Sequence, residues 1–91
     1  MLRITINESG NAMQMKLAGR IAGPWAEELD RVWVETAPNL GSKKLSIDLS
    51  DVTFADEAGK KILGRIIAQT NAELITGTVW TQYLAQQVKG K

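Results

Sequence analysis

Neither cysteine nor histidine occurs among the 91 residues. The first absence removes disulfides, thiol nucleophiles and thiolate metal sites. The second removes the commonest general base and the commonest metal ligand. No apolar run approaches the ~20 residues that span a bilayer, and the opening MLRITINESG lacks the apolar segment of a signal peptide. The expectation is a cytoplasmic protein that is not an integral membrane protein. Neither sign of charge dominates: 11 Lys and Arg face 10 Asp and Glu, for a net charge of +1, with no basic run. Nothing in that balance draws the chain to nucleic acid. The glycines form neither G-x-G-x-x-G nor G-x-x-x-x-G-K-[ST], and no serine sits in G-x-S-x-G. No phosphate-cradling loop, nucleophile elbow, cofactor box or catalytic constellation is indicated, so the expectation is a non-enzyme without a cofactor.

What is present is an ordinary globular composition, 44% hydrophobic and 23% charged, enough for one small core and a single domain over 1–91. Leu2, Ile4 and Ile6 alternate with polar residues, then Glu8 to Asn11 turn, and Met13, Met15 and Leu17 alternate again. This predicts an antiparallel hairpin with one face covered and one wet. Gly23-Pro24 opens a helix, because proline at the first helical position gives up an N–H that has no partner there. Trp25, Leu29, Val32, Trp33 and Thr36 fall on one helical stripe, which predicts that Trp25 and Trp33 both face inward. Pro38 ends this helix.

The stretch from Leu45 to Ile67 organises the rest. Leu45, Ile47 and Leu49 alternate with Ser46, Asp48 and Ser50 as a buried strand, and Val52 and Phe54 add two apolar anchors. The period then changes. Ile62, Leu63, Ile66 and Ile67 form a helical stripe, with Lys60, Lys61 and Arg65 off it as a basic ridge toward water. Between strand and helix stands Asp56-Glu57-Ala58-Gly59. Asp56 is placed to cap the helix and Glu57 to complement its dipole. Ala72 to Thr76 reads as a short parallel strand joined through that helix. Thr78 caps a last helix marked by Val79, Trp80, Tyr83, Leu84 and Val88. Trp80 and Tyr83 are expected in the core, or in an apolar patch suited to homodimerisation or partner binding if that helix packs incompletely. The predicted order is ββαβαβα: an α/β domain with a mixed sheet of about four strands and helices on one face.

The run I-D-L-S-D-V-T-F-A-D-E-A-G, from Ile47 to Gly59, resembles the signature of STAS domains, named for sulfate transporters and anti-sigma factor antagonists. Leu17 to Ile21, L-A-G-R-I, is similar to that family's L-x-G-x-L. The resemblance spans roughly residues 2 to 88. It implies a STAS-like fold and a stand-alone, non-enzymatic protein-interaction domain of bacterial regulation, like the anti-sigma factor antagonists. It further implies that Asp56, Glu57, Ala58 and Gly59, with Lys60, Lys61 and Arg65 beside them, form the surface that docks a kinase-like anti-sigma factor. Those antagonists carry a phosphorylated serine or threonine just before the glycine. Here Ala58 takes that place, so the hydroxyl-based switch is lost. Three outcomes remain open after that change: a constitutively binding form, a form imitating phosphorylation through Glu57, or a domain repurposed for another assembly. STAS-like subunits also accompany transporters, including lipid-transport ABC systems, which makes a transporter subunit the alternative partner. Small-ligand binding at the same sheet edge is a third reading. STAS domains commonly continue into a further strand and helix that do not follow here. The sheet edge is then exposed, capped by the last helix or covered by another chain.

Asp48, Asp51, Asp56 and Glu57 place four carboxylates within ten residues. Hard divalent cations favour such ligands. Strand end, turn and helix cap account for each of them separately, and no metal site is expected.

Overall fold

The computed structural model describes residues 1–89. Strand β1 (Leu2–Ser9) and strand β2 (Ala12–Ile21) form the hairpin, followed by helix α1 (Pro24–Thr36) and a single 3-10 turn (Ala37–Asn39). Strand β3 (Lys44–Ala55), helix α2 (Glu57–Thr70), strand β4 (Glu73–Ile75) and helix α3 (Val79–Lys89) complete the chain. The sheet runs β1-β2-β3-β4. Its first pair is antiparallel and the next two are parallel. This is the ββαβαβα order and the mixed four-stranded sheet that the periodicities predict.

Register explains the layering. Met13 pairs with Leu45 and Met15 with Ile47, so the buried positions of adjacent strands share one face. There they meet Leu29 and Trp33 of α1, Leu63 and Ile66 of α2, and Leu84 and Val88 of α3. Arg3, Thr5 and Lys16 lie on the other face. Removing that many large apolar side chains from water, at ~1.5–3 kcal/mol each, is what stabilises the layers.

Strand β3 is not regular. Lys16 pairs with Asp48 but Ala18 with Asp51, and Gly19 pairs with Val52 but Arg20 with Phe54. Each step inserts one extra residue into β3, a bulge that resets which side chains point inward. Asp48 supports the first bulge, its Oδ1 accepting from the Ser50 N–H at 2.9 Å. Val52, after the first bulge, and Ala55, after the second, are buried, but Phe54, predicted as an anchor, is 39% exposed.

Two helices are rotated from their predicted stripes. In α1 the buried positions are Ala26, Leu29 and Trp33, and Trp25 stands exposed in the first turn. In α3 they are Thr81, Leu84, Ala85 and Val88, so Trp80 and Tyr83 lie outside the core. The cause is a polar network at the start of α3. Thr78 Oγ1 accepts from the Thr81 N–H at 3.0 Å, which is the predicted cap. Thr81 Oγ1 in return accepts from the N–H groups of Gly77 and Thr78, at 3.1 and 2.9 Å. This reciprocal capping turns Thr81 inward, where it is fully buried, and the neighbouring aromatics outward. Gly19, within the L-A-G-R-I run, has φ +108° and lies against the Met1 carbonyl, where a Cβ would stand 2.2 Å from that oxygen. Only glycine fits there.

Candidate functional site

The parallel strands β2 and β3 end side by side, and each passes directly into the start of a helix. Crevices beyond the carboxyl ends of parallel strands are where open α/β sheets place their sites. Asp56 joins the two connections. Its Oδ1 accepts from the Gly59 N–H at 2.8 Å, capping α2 as predicted. Its Oδ2 accepts from the Gly23 N–H at 2.9 Å, in the loop that opens α1. The Asp56 N–H donates to the Ile21 carbonyl at 3.1 Å, so backbone and side chain both tie the two loops together. The Gly23 N–H, and next the Gly59 N–H, hold the Asp56 carboxyl below its ordinary pKa, because each hydrogen bond favours the ionised form.

Gly59 is buried where α2 presses on the end of β2. A Cβ there would stand 2.3 Å from the Ile21 carbonyl oxygen. The glycine of the motif is therefore a packing requirement that brings the two loops into contact. Glu57 and Ala58 are exposed on the first turn of α2 beside it.

The predicted basic ridge is divided. Lys60 is half-buried and pairs with Glu57 at 3.7 Å. Lys61 is exposed and borders, with Lys60 and Gly64, an open groove between α2 and α3. Arg65 turns to the other side, where it pairs with Asp30 of α1 above a groove lined by Trp33, Val34 and Pro38.

The four carboxylates do not converge. Asp48 supports the bulge, Asp51 pairs with Lys16 at 3.5 Å across the open sheet face, Asp56 caps and Glu57 meets Lys60. Among the described residues no group of three or more acidic side chains is positioned to hold a metal ion.

Sequence reasoning missed three neighbours of this loop. Phe54 carries the Arg20 guanidinium over its ring, 4.5 Å from the centroid, a cation–π contact on the exposed surface. Trp25 adds a third large exposed side chain in the first turn of α1. The direct partnership of Asp56 with Gly23, 33 residues away, had no local signal.

No protein-family model matches the chain, and no curated protein matches it. Among solved structures it is similar to a crystal structure of Mglu, with a TM-score of 0.61 at 14% identity, and to one of Mglu in its native form, with 0.57 at 14%. Each match covers 81% of this chain but only 19% and 22% of those chains. The shared feature is the fold, and this chain spans about a fifth of the length of the proteins that share it.

Proposed function

We propose that this chain is a STAS-type, non-enzymatic interaction domain of bacterial regulation that acts in the cytoplasm. It docks a protein partner through the Asp56–Gly59 loop and the first turns of α2, in the manner of an anti-sigma factor antagonist. The observation that carries this reading is the double engagement of Asp56, which accepts from both Gly59 and Gly23. It holds the loop in one shape before any partner arrives, and a pre-ordered loop avoids the entropy of ordering on binding. Around it lie an exposed acid (Glu57), an exposed base (Lys61) and the Arg20–Phe54 pair, a mixture suited to protein contact.

Ala58 offers no hydroxyl, and Glu57 supplies one fixed charge with two oxygens. A phosphate would bring about −1.5 to −2 charges and three acceptors. The domain therefore binds constitutively, without a phosphorylation switch in this loop. The test is affinity purification from the native cell, comparing wild type with a Glu57→Lys, Lys61→Glu double variant. Co-elution of an anti-sigma-type ATPase that the variant loses supports the reading. Co-elution of a transporter subunit instead assigns the domain to a transport assembly. An unchanged partner set with the variant moves the interface off this loop.

A further inference from the structure

The three helices differ in one respect that the docking loop does not use. On α1 the exposed side includes Glu27, Arg31 and Glu35, with Arg31 paired to Glu28 and Glu35. On α2 it carries Glu57, Lys61 and Arg65. On α3 it carries Val79, Trp80, Gln82, Tyr83, Gln86 and Gln87, with Lys89 in the last turn as its one charge, and no charged residue occurs between Glu73 and Lys89. Val79 is 83% exposed, Tyr83 58% and Trp80 37%. Surface helices of small proteins ordinarily spend this side on charge. A surface from which charge is missing and where aromatics are enriched has the composition of an interface centre.

The geometry points to self-association: the outer face of α3 around Val79 and Tyr83 packs against the same face of a second copy of this chain, around a two-fold axis. A two-fold contact brings each patch against itself, so any charge near the axis meets its own sign. Among the described residues the face carries one charge, Lys89 in the last turn, which lies away from an axis near Tyr83. The centre of the face has none to repel and none to select an acidic or a basic partner, which separates it from the mixed-charge surface around Asp56. The net charge of +1 adds little long-range repulsion between copies. Val79, Tyr83 and Gln87 recur at i, i+4 and i+8, a ridge of the kind that interdigitates between helices. Gln87 donates to the Tyr83 hydroxyl at 3.1 Å, which holds the central aromatic in place. Among the described residues nothing further covers the flank. Helix α3 packs on α2 and β3, and β4 pairs with β3 alone. A helix of 11 residues is about 16 Å long, so the contact is at the small end of specific interfaces and the dimer forms with micromolar affinity or weaker.

The experiment is sedimentation equilibrium, with light scattering as a second measure, on the full chain from about 1 to about 500 µM, the range in which a small interface associates. The expected result is a mass that rises from 10.0 kDa toward twice that value. Tyr83→Glu and Val79→Lys, both at largely exposed positions, are each expected to weaken dimerisation at least about tenfold, with unchanged circular dichroism. Glu35→Lys, exposed on α1, is expected to leave it as it was. A chain that stays monomeric throughout overturns the inference. So does a dimer that survives both α3 substitutions, and so does a mass increase that appears only when another protein is added.

Discussion

Gly59→Ala separates the packing role of this glycine from ordinary helix propensity. In an exposed helix interior, alanine for glycine stabilises by about 1 kcal/mol. At Gly59 the new Cβ would stand 2.3 Å from the Ile21 carbonyl oxygen and 2.9 Å from Ile21 Cγ2. The first of these is backbone, so a rotamer change cannot relieve it. The same oxygen accepts the Asp56 N–H at 3.1 Å, and moving it loosens the tie between the two loops. Overpacking of this kind costs about 1–3 kcal/mol. The weakened hydrogen bond adds about 0.5–1.5 kcal/mol. Set against the propensity gain, the net destabilisation is about 1–3 kcal/mol. For a domain of this size that lowers the melting temperature by roughly 5–20 °C. Gly64→Ala is the comparison. Its Cβ would stand 3.3 Å from the Val88 carbonyl oxygen, a contact that a small shift relieves, so its stability stays within about 1 kcal/mol of wild type. Thermal and urea unfolding followed by circular dichroism measure both. If Gly59→Ala is as stable as wild type or more so, the close approach of α2 to β2 is not what fixes glycine at this position.

The Asp56 carboxyl sits below its ordinary value of 3.8 when folded, so its contribution is complete above that value and is lost as pH falls through the folded one. Asp56→Asn is therefore expected to melt lower than wild type at pH 7 but to lose less on acidification below about pH 4, read from melting temperature against pH. Thr81→Val removes the acceptor of two partly buried hydrogen bonds, from the Gly77 and Thr78 N–H groups, and at about 0.5–1.5 kcal/mol each is expected to cost about 1–3 kcal/mol, which urea titration resolves. Protein from its native host is expected to carry no phosphate between Ser50 and Lys60. Substantial occupancy at Ser50 or Thr53, the hydroxyls nearest Ala58, in phosphopeptide mapping would refute constitutive binding.

The order of elements was legible because each depends on short-range pattern. Period two gave the strands, period 3.6 gave the helices, and Gly23-Pro24, Asp56 and Thr78 marked helix starts that the structure confirms. What failed was orientation within elements. Phe54 turns outward because the second bulge of β3, between Val52 and Phe54, reverses the phase that the first had set, and a bulge follows from pairing with another strand. Trp80 and Tyr83 turn outward because capping hydrogen bonds draw Thr81 inward, and hydropathy assigns a threonine to the wrong side. Trp25 belongs to a first turn whose buried stripe begins one residue later, at Ala26.

The loop was legible for the same reason it was incomplete. A cap acts on N–H groups two or three residues onward, so Asp56 and Gly59 could be joined from sequence alone. The second half of the arrangement crosses from β3 to β2: Asp56 to Gly23, Gly59 to Ile21 and Phe54 to Arg20. Each partner lies in a different element, brought near by parallel pairing of strands that the chain itself separates by a helix. That placement changes the meaning of the motif. The acid and the glycine are structural, engaged with the protein's own backbone. What the loop presents outward is the material around them, Glu57, Ala58 and Lys61 from α2 with Arg20, Phe54 and Trp25 from the neighbouring connection. In the proposed docking role, partner specificity at this edge rests on residues outside the acid and the glycine, and it can change while the loop keeps its shape.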